Sequence, residues 1–108
     1  MGNRGFYRQQ VSAQATGGVF IPNYRNKEAT PTLSIAVDLA DTPNLTYSVE
    51  YTLDDIQSGD TPVWHAHTDL TAKTANATGA IYSPVSGIRL NVTAHVTGNA
   101  AMKILQPY

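Results

Sequence analysis

The chain has 108 residues, 42% of them hydrophobic, with no cysteine and a formal net charge of −1. That length fits one domain, able to bury about 65% of its unfolded surface, and the apolar and aromatic content is too high for a disordered chain. The missing cysteines exclude a disulfide framework and thiolate metal sites. No apolar run nears the ~20 residues that would span a bilayer.

The charges are segregated. Residues 1–27 carry four cations (Arg4, Arg8, Arg25, Lys27) and no acid, all eight acids lie between Glu28 and Asp69, and only Lys73, Arg89 and Lys103 follow. A basic start beside an acidic middle can pair between copies or with a partner, or be accidental in so sparsely charged a chain. Four cations spread so thinly do not make a nucleic-acid site, where affinity follows the number of phosphates neutralised.

Residues 1–18 are rich in Gly, Gln, Asn and Arg with isolated apolar side chains, and are expected to form an extended N-terminal arm, mobile by itself. The N-terminus lacks the apolar core of a secretion signal. Within the arm, Arg4, Phe6, Tyr7, Arg8 and Val11 are the candidate contacts with a partner; a frayed end without a role is the plainer alternative. Residues 19–108 are expected to form one β domain.

A weak strand candidate at 19–22 is followed by two alternating runs. Leu33, Ile35, Val37 and Leu39 fall on one face of the first, and Leu45, Tyr47, Val49, Tyr51 and Leu53 on one face of the second. Between them, Asp41-Thr42-Pro43-Asn44 is turn chemistry. A hairpin with Val37 opposite Tyr47 would need a five-residue loop over 40–44. Asp54, Asp55 and Asp60 then crowd one loop, which reads as turn formation before calcium binding or paired-carboxylate chemistry.

Residues 62–67 form a second weak strand candidate. Trp64 within it is expected in the core, with glycan stacking or interface anchoring as the functional alternative. If the chain stays extended, His65, His67 and Asp69 share a face and become weak candidates for a metal site; a structural or surface role is favoured. Residues 69–78 allow a helical turn at most, and 80–83 a short strand. A third strong run places Ile88, Leu90, Val92, Ala94 and Val96 inward. A three-residue loop over 97–99 would then pair Ala94 with Met102 and Val92 with Ile104, keeping Lys103 out of the core.

Six to eight short strands with turns between them predict an all-β fold, an antiparallel β-sandwich or jelly roll. Nucleophile machinery is thin: there is no cysteine, no Gly-x-Ser-x-Gly elbow and no phosphate-cradling glycine loop. No catalytic residue is assigned, no cofactor is expected, and the chain reads as a binding module and not an enzyme.

Residues 47–55 (Tyr-Ser-Val-Glu-Tyr-Thr-Leu-Asp-Asp) lead to Trp64, His67, Leu70 and Thr74-Ala75, then Pro84-Val85, Ile88 to Thr93 and Met102 to Gln106. The succession resembles small virion-associated proteins of tailed bacteriophages. It covers a little over half the chain, and the stretch after Thr93 departs from the shorter, Gly-richer link of that pattern. The resemblance implies a head decoration (cement) protein. Such a protein is a β-sandwich that binds the outer surface of the major capsid protein lattice, assembles with itself as a dimer or trimer, and carries no catalytic residues. Its place would be the virion, after assembly in the host cytoplasm, with neither nucleic acid nor membrane as partner. The alternative is a tail-associated receptor- or carbohydrate-binding module using Trp64, Tyr82 and nearby carboxylates. A metal-dependent hydrolase on His65, His67 and Asp69 is a third reading.

Overall fold

The structure is a computed structural model that describes residues 6–22, 33–56, 58–59, 61–83 and 85–105. It is all-β and antiparallel. The described residues form five strands: β1 (Phe6–Val11), β2 (Leu33–Thr52), β3 (His65–Ala66), β4 (Ala77–Ile81) and β5 (Gly87–Leu105). Within one continuous sheet β1 pairs with β5, β5 with β2, and β2 with both β3 and β4.

The two long strands organise everything else. β2 and β5 pair along nearly their whole length, from Ser34 opposite Leu105 through Val37 opposite Met102 to Tyr47 opposite Val92 and Thr52 opposite Gly87. This corrects both predicted hairpins. Neither half of β2 pairs with its other half, and neither half of β5 does so. A straight strand of 20 residues at about 3.3 Å per residue would run to about 66 Å, yet the longest dimension of the molecule is 42 Å. β2 therefore bends, and the bend falls on the predicted turn residues.

That corner is built from both strands. The register shifts between Ala40 and Asn44, where Asp41 and Thr42 take left-handed conformations with φ of 62° and 53°. Opposite them Gly98 has φ of 86°. A Cβ at Gly98 would stand 2.6 Å from Pro43 Cα and 2.7 Å from the Ala40 carbonyl oxygen, so the two backbones touch as only glycine allows. Thr97 Oγ1 donates to the Thr42 carbonyl at 2.7 Å, and Asn99 Nδ2 to Asp41 Oδ2 at 2.6 Å.

Each long strand is flanked along its length by one more segment. Beyond β1, residues 15–20 follow the other half of β5, with Val92 N–H donating to Ala15 and Phe20 exchanging both bonds with Ile88. Beyond β3, residues 67–73 follow β2, with His67 N–H donating to Val49 and Lys73 exchanging both bonds with Tyr47; β4 then covers the first half of β2. Thus the expectation of a mobile arm is corrected for Phe6–Val11, which pair with β5 as a strand, and Ala15, Thr16 and Gly17 also bond to β5.

Alternation does predict the core. Ile35, Val37, Tyr47 and Val49 of β2 and Ile88, Leu90, Val92, Met102 and Ile104 of β5 are all buried in a single cluster that spans both halves of the bent strands. Full burial of each such side chain contributes about 1.5–3 kcal/mol. Lys103 lies on the other face, its ammonium 2.7 Å from Asp38 Oδ2, as the sequence predicted even though its loop did not form. Ala94 and Val96, expected inward, are exposed because the strand turns through the corner there. The open sides are closed by side chains: Gln9 and Val11 pack on Gly17 where a Cβ would clash, and Leu70 and His67 pack on Gly79.

Candidate functional site

The arm residues do not gather into a free anchor. Arg4 lies outside the described residues, Phe6 is the first residue of β1, and Arg8 is exposed. Tyr7 is half-buried, its ring 4.7 Å from that of Phe20, and its hydroxyl donates to Gln9 Oε1. Burial pushes its phenol pKa up. Val11 is buried within the chain's own core, which withdraws it from any partner contact.

His65, His67 and Asp69 do not converge, because strand pairing ends at Ala66 and the chain turns. The exposed His65 ring lies over Tyr51, with centroids 5.7 Å apart. His67 is buried, and its Nδ1 accepts the Asp69 N–H at 3.1 Å. The network thereby assigns the proton to Nε2, which donates to the Ala80 carbonyl at 2.8 Å. Both nitrogens are engaged, leaving no lone pair for a metal. No three His, Asp or Glu side chains are placed to hold an ion among the described residues. In the acidic loop, Asp54 Oδ2 accepts the Val63 N–H at 2.6 Å, an ordinary turn-forming role, while Asp60 lies outside the described residues.

Trp64 is neither core nor a free platform. The Arg89 guanidinium sits 4.2 Å from its ring centroid, so one aromatic face is covered by a cation. Arg89 Nε donates to Glu50 Oε1 at 2.7 Å, and Asn91 Nδ2 to Glu50 Oε2 at 3.2 Å. Sequence pattern placed Arg89 and Asn91 outward but gave no sign that they meet Glu50, which is 39 residues away for Arg89.

The exposed apolar side chains are unevenly spread. Both ends of β2 contribute to two adjoining depressions, Ser34 and Ile35 to one and Tyr51 to the other, and this side of the molecule is its apolar pole. Leu53, just past the end of β2, and Tyr82, just past β4, line the same depression. Leu53 is 66% exposed, Tyr82 75% and Leu105 58%, and Val19 packs nearby against Gly87. The corner pole carries polar residues and Val96. Two depressions of about 410 and 430 Å³ meet at Asp69, Ala80 and Tyr82. The first runs over Ser34, Ala36 and Thr78 towards Lys103; the second runs over Tyr51, Leu53 and Val85. His67, Asp69 and Ser83 also line the second, where both ring nitrogens of His67 are held by backbone groups. Among the described residues no buried side-chain polar atom lacks a partner, and no helix is long and apolar enough to cross a membrane.

No protein-family model matches the chain, and no curated protein matches it. Among solved structures the chain is similar to the SPBc2 prophage-derived protein YomS, with a TM-score of 0.55 and 8% identity over 93% of each chain. The likeness shows a shared fold. A chain from the Bacillus endospore appendages, a family of disulfide-linked pili, superposes with a TM-score of 0.43 and 14% identity over 92% of this chain and 81% of that one. That second likeness is too slight to carry an inference.

Proposed function

We propose that the chain is a non-enzymatic structural protein of a bacteriophage particle, a decoration (cement) protein that binds the outer surface of the major capsid protein lattice and stabilises the head. The observation that carries this reading is the apolar pole. Leu53, Tyr82 and Leu105 stand in solvent on that pole, while among the described residues every buried side-chain polar atom is paired. Large apolar side chains gathered at one end mark an interaction surface more often than isolated ones do. The resemblance of the ordered segments from Tyr47 to Gln106 supports the phage assignment, and so does the fold shared with a prophage-derived protein.

The finer architecture we propose is a jelly-roll sandwich. Its support is the order of pairing: β1–β5–β2–β4 in one half and residues 15–20, β5, β2, then 65–73 in the other, with one core spanning both. Self-association as a dimer or trimer belongs to the same reading. Repetition of a small contact over a symmetric shell multiplies its effect, so each copy needs only modest affinity. With β1 built into the sheet, the contact surface moves from the arm to the apolar pole.

Co-sedimentation of the purified chain with shells of the major capsid protein from the same genome tests this. Saturable binding is expected, weakened about tenfold or more by Leu53→Ser with Leu105→Ser, since each exchange removes an apolar contact of about 1 kcal/mol or more. Wild-type chain left in the supernatant at all shell concentrations would remove the proposal.

A further inference from the structure

The trough around Tyr82, which Leu53 and Leu105 of the apolar pole also line, carries polar groups as well. Tyr82 is 75% exposed and lines both depressions. Beside it lies the exposed Asp69, whose backbone N–H, and not its carboxylate, bonds His67. The two ion pairs of the described residues join Arg89 to Glu50 and Lys103 to Asp38, so neither cation is spent on Asp69. The small residues Ala36, Gly79 and Ala80 and the hydroxyl-bearing Ser34 and Thr78 line the first depression, with Lys103 and Leu105 beside them.

We propose that this trough binds a saccharide. An exposed aromatic ring offers an apolar face on which the C–H face of a pyranose stacks. A carboxylate held next to it accepts two adjacent hydroxyls, and the serine and threonine hydroxyls donate or accept within the trough. Volumes of about 410 and 430 Å³ fall in the range of small-ligand sites, each adequate for one or two sugar rings. Other occupants fit less well. Strand addition to β4 meets an Ala80 carbonyl already taken by His67. An anion meets the Asp69 charge, with Lys103 already committed to Asp38. A metal ion finds one carboxylate only. Of the two aromatics that the sequence offered for this role, Trp64 has one ring face under Arg89, and Tyr82 remains.

The test is a titration of the full 15N-labelled chain with maltose, cellobiose, lactose and N,N′-diacetylchitobiose, each to about 20 mM, a range that reads millimolar dissociation constants. At least one sugar is expected to shift the amides of Ser34, Ala36, Asp69 and Thr78 to Tyr82 and leave those of the corner at Asp41 and Gly98 unmoved. Tyr82→Ala and Asp69→Asn, both at exposed positions, should each weaken that binding about tenfold or more, with unchanged melting temperature, whereas Trp64→Ala should leave it intact. Four silent titrations would overturn the proposal, as would shifts that survive Tyr82→Ala or that follow Trp64. Concentration-dependent dimerisation abolished by Tyr82→Ala, with no sugar bound, would assign the trough to a second copy instead. The outcome is independent of shell binding, because soluble sugar is the probe.

Discussion

Substituting Gly98 by alanine tests the corner on which the fold turns. Two costs combine there. A φ of 86° places an L-residue in a region that costs about 1 kcal/mol relative to glycine. The added Cβ would also press on backbone atoms, Pro43 Cα at 2.6 Å and the Ala40 carbonyl oxygen at 2.7 Å, neither of which can swing aside as a side chain would. Overpacking of this kind costs about 1–3 kcal/mol, for a total of about 2–4 kcal/mol. Gly59 supplies the control: its φ is 93°, but nothing lies within 4 Å of its Cβ direction, so alanine there meets the backbone cost alone. Urea unfolding at 25 °C reads both. With a slope of about 1–1.5 kcal/mol per molar for a chain of this size, Gly98→Ala should lower the midpoint by about 2 M and Gly59→Ala by less than about 1 M. Equal shifts would refute the close backbone approach at the corner, and with it the folding-back of β2 on β5.

Two further substitutions probe the buried polar contacts. Tyr47 is fully buried and donates to the Ala75 carbonyl at 2.7 Å, so Tyr47→Phe should cost about 1 kcal/mol in the same urea assay. Burial, and secondarily the Asp38 charge, push its pKa from 10.0 up to about 12. The unfolded phenol therefore ionises first, and this stabilisation is intact below pH 10 and lost as pH rises towards 12. Melting temperatures from pH 8 to 11.5 should fall less steeply in Tyr47→Phe; Tyr7, raised in the same direction, accounts for part of the remaining fall. His67→Ala removes the clasp on Ala80 and the acceptor for the Asp69 N–H, for about 2 kcal/mol, and hydrogen exchange should quicken over 77–81 before the rest of the sheet. Uniform quickening would show that His67 does not hold β4 locally.

What alternation encodes is a face, and the structure shows where that information ends. Leu39 and Leu45 lie an even number of positions apart, as do Val92 and Met102. The inward phase is therefore the same whether the intervening turn reverses the chain into a hairpin or merely bends a strand through a corner. Period two thus predicts Ile35, Tyr47, Leu90 and Met102 inside and Lys103 outside, yet pairs each run with the wrong neighbour. Turn chemistry at Asp41 to Asn44 and at Gly98-Asn99 carries the same ambiguity, since left-handed residues serve both ends. The N-terminal segment failed for another reason. Arg8, Gln9 and Gln10 lack the apolar content that signals a core, but a strand added to an edge is held by its backbone groups, which composition does not record. A trace was present in Gly17-Gly18, the space that Gln9 fills. The site was least legible of all. Tyr82 and Trp64 are both lone aromatics beside short strands, and what separates them is a guanidinium from Arg89 lying over one ring and solvent over the other. That difference arises from β5 crossing β2 far along the chain, and a local pattern carries no record of it.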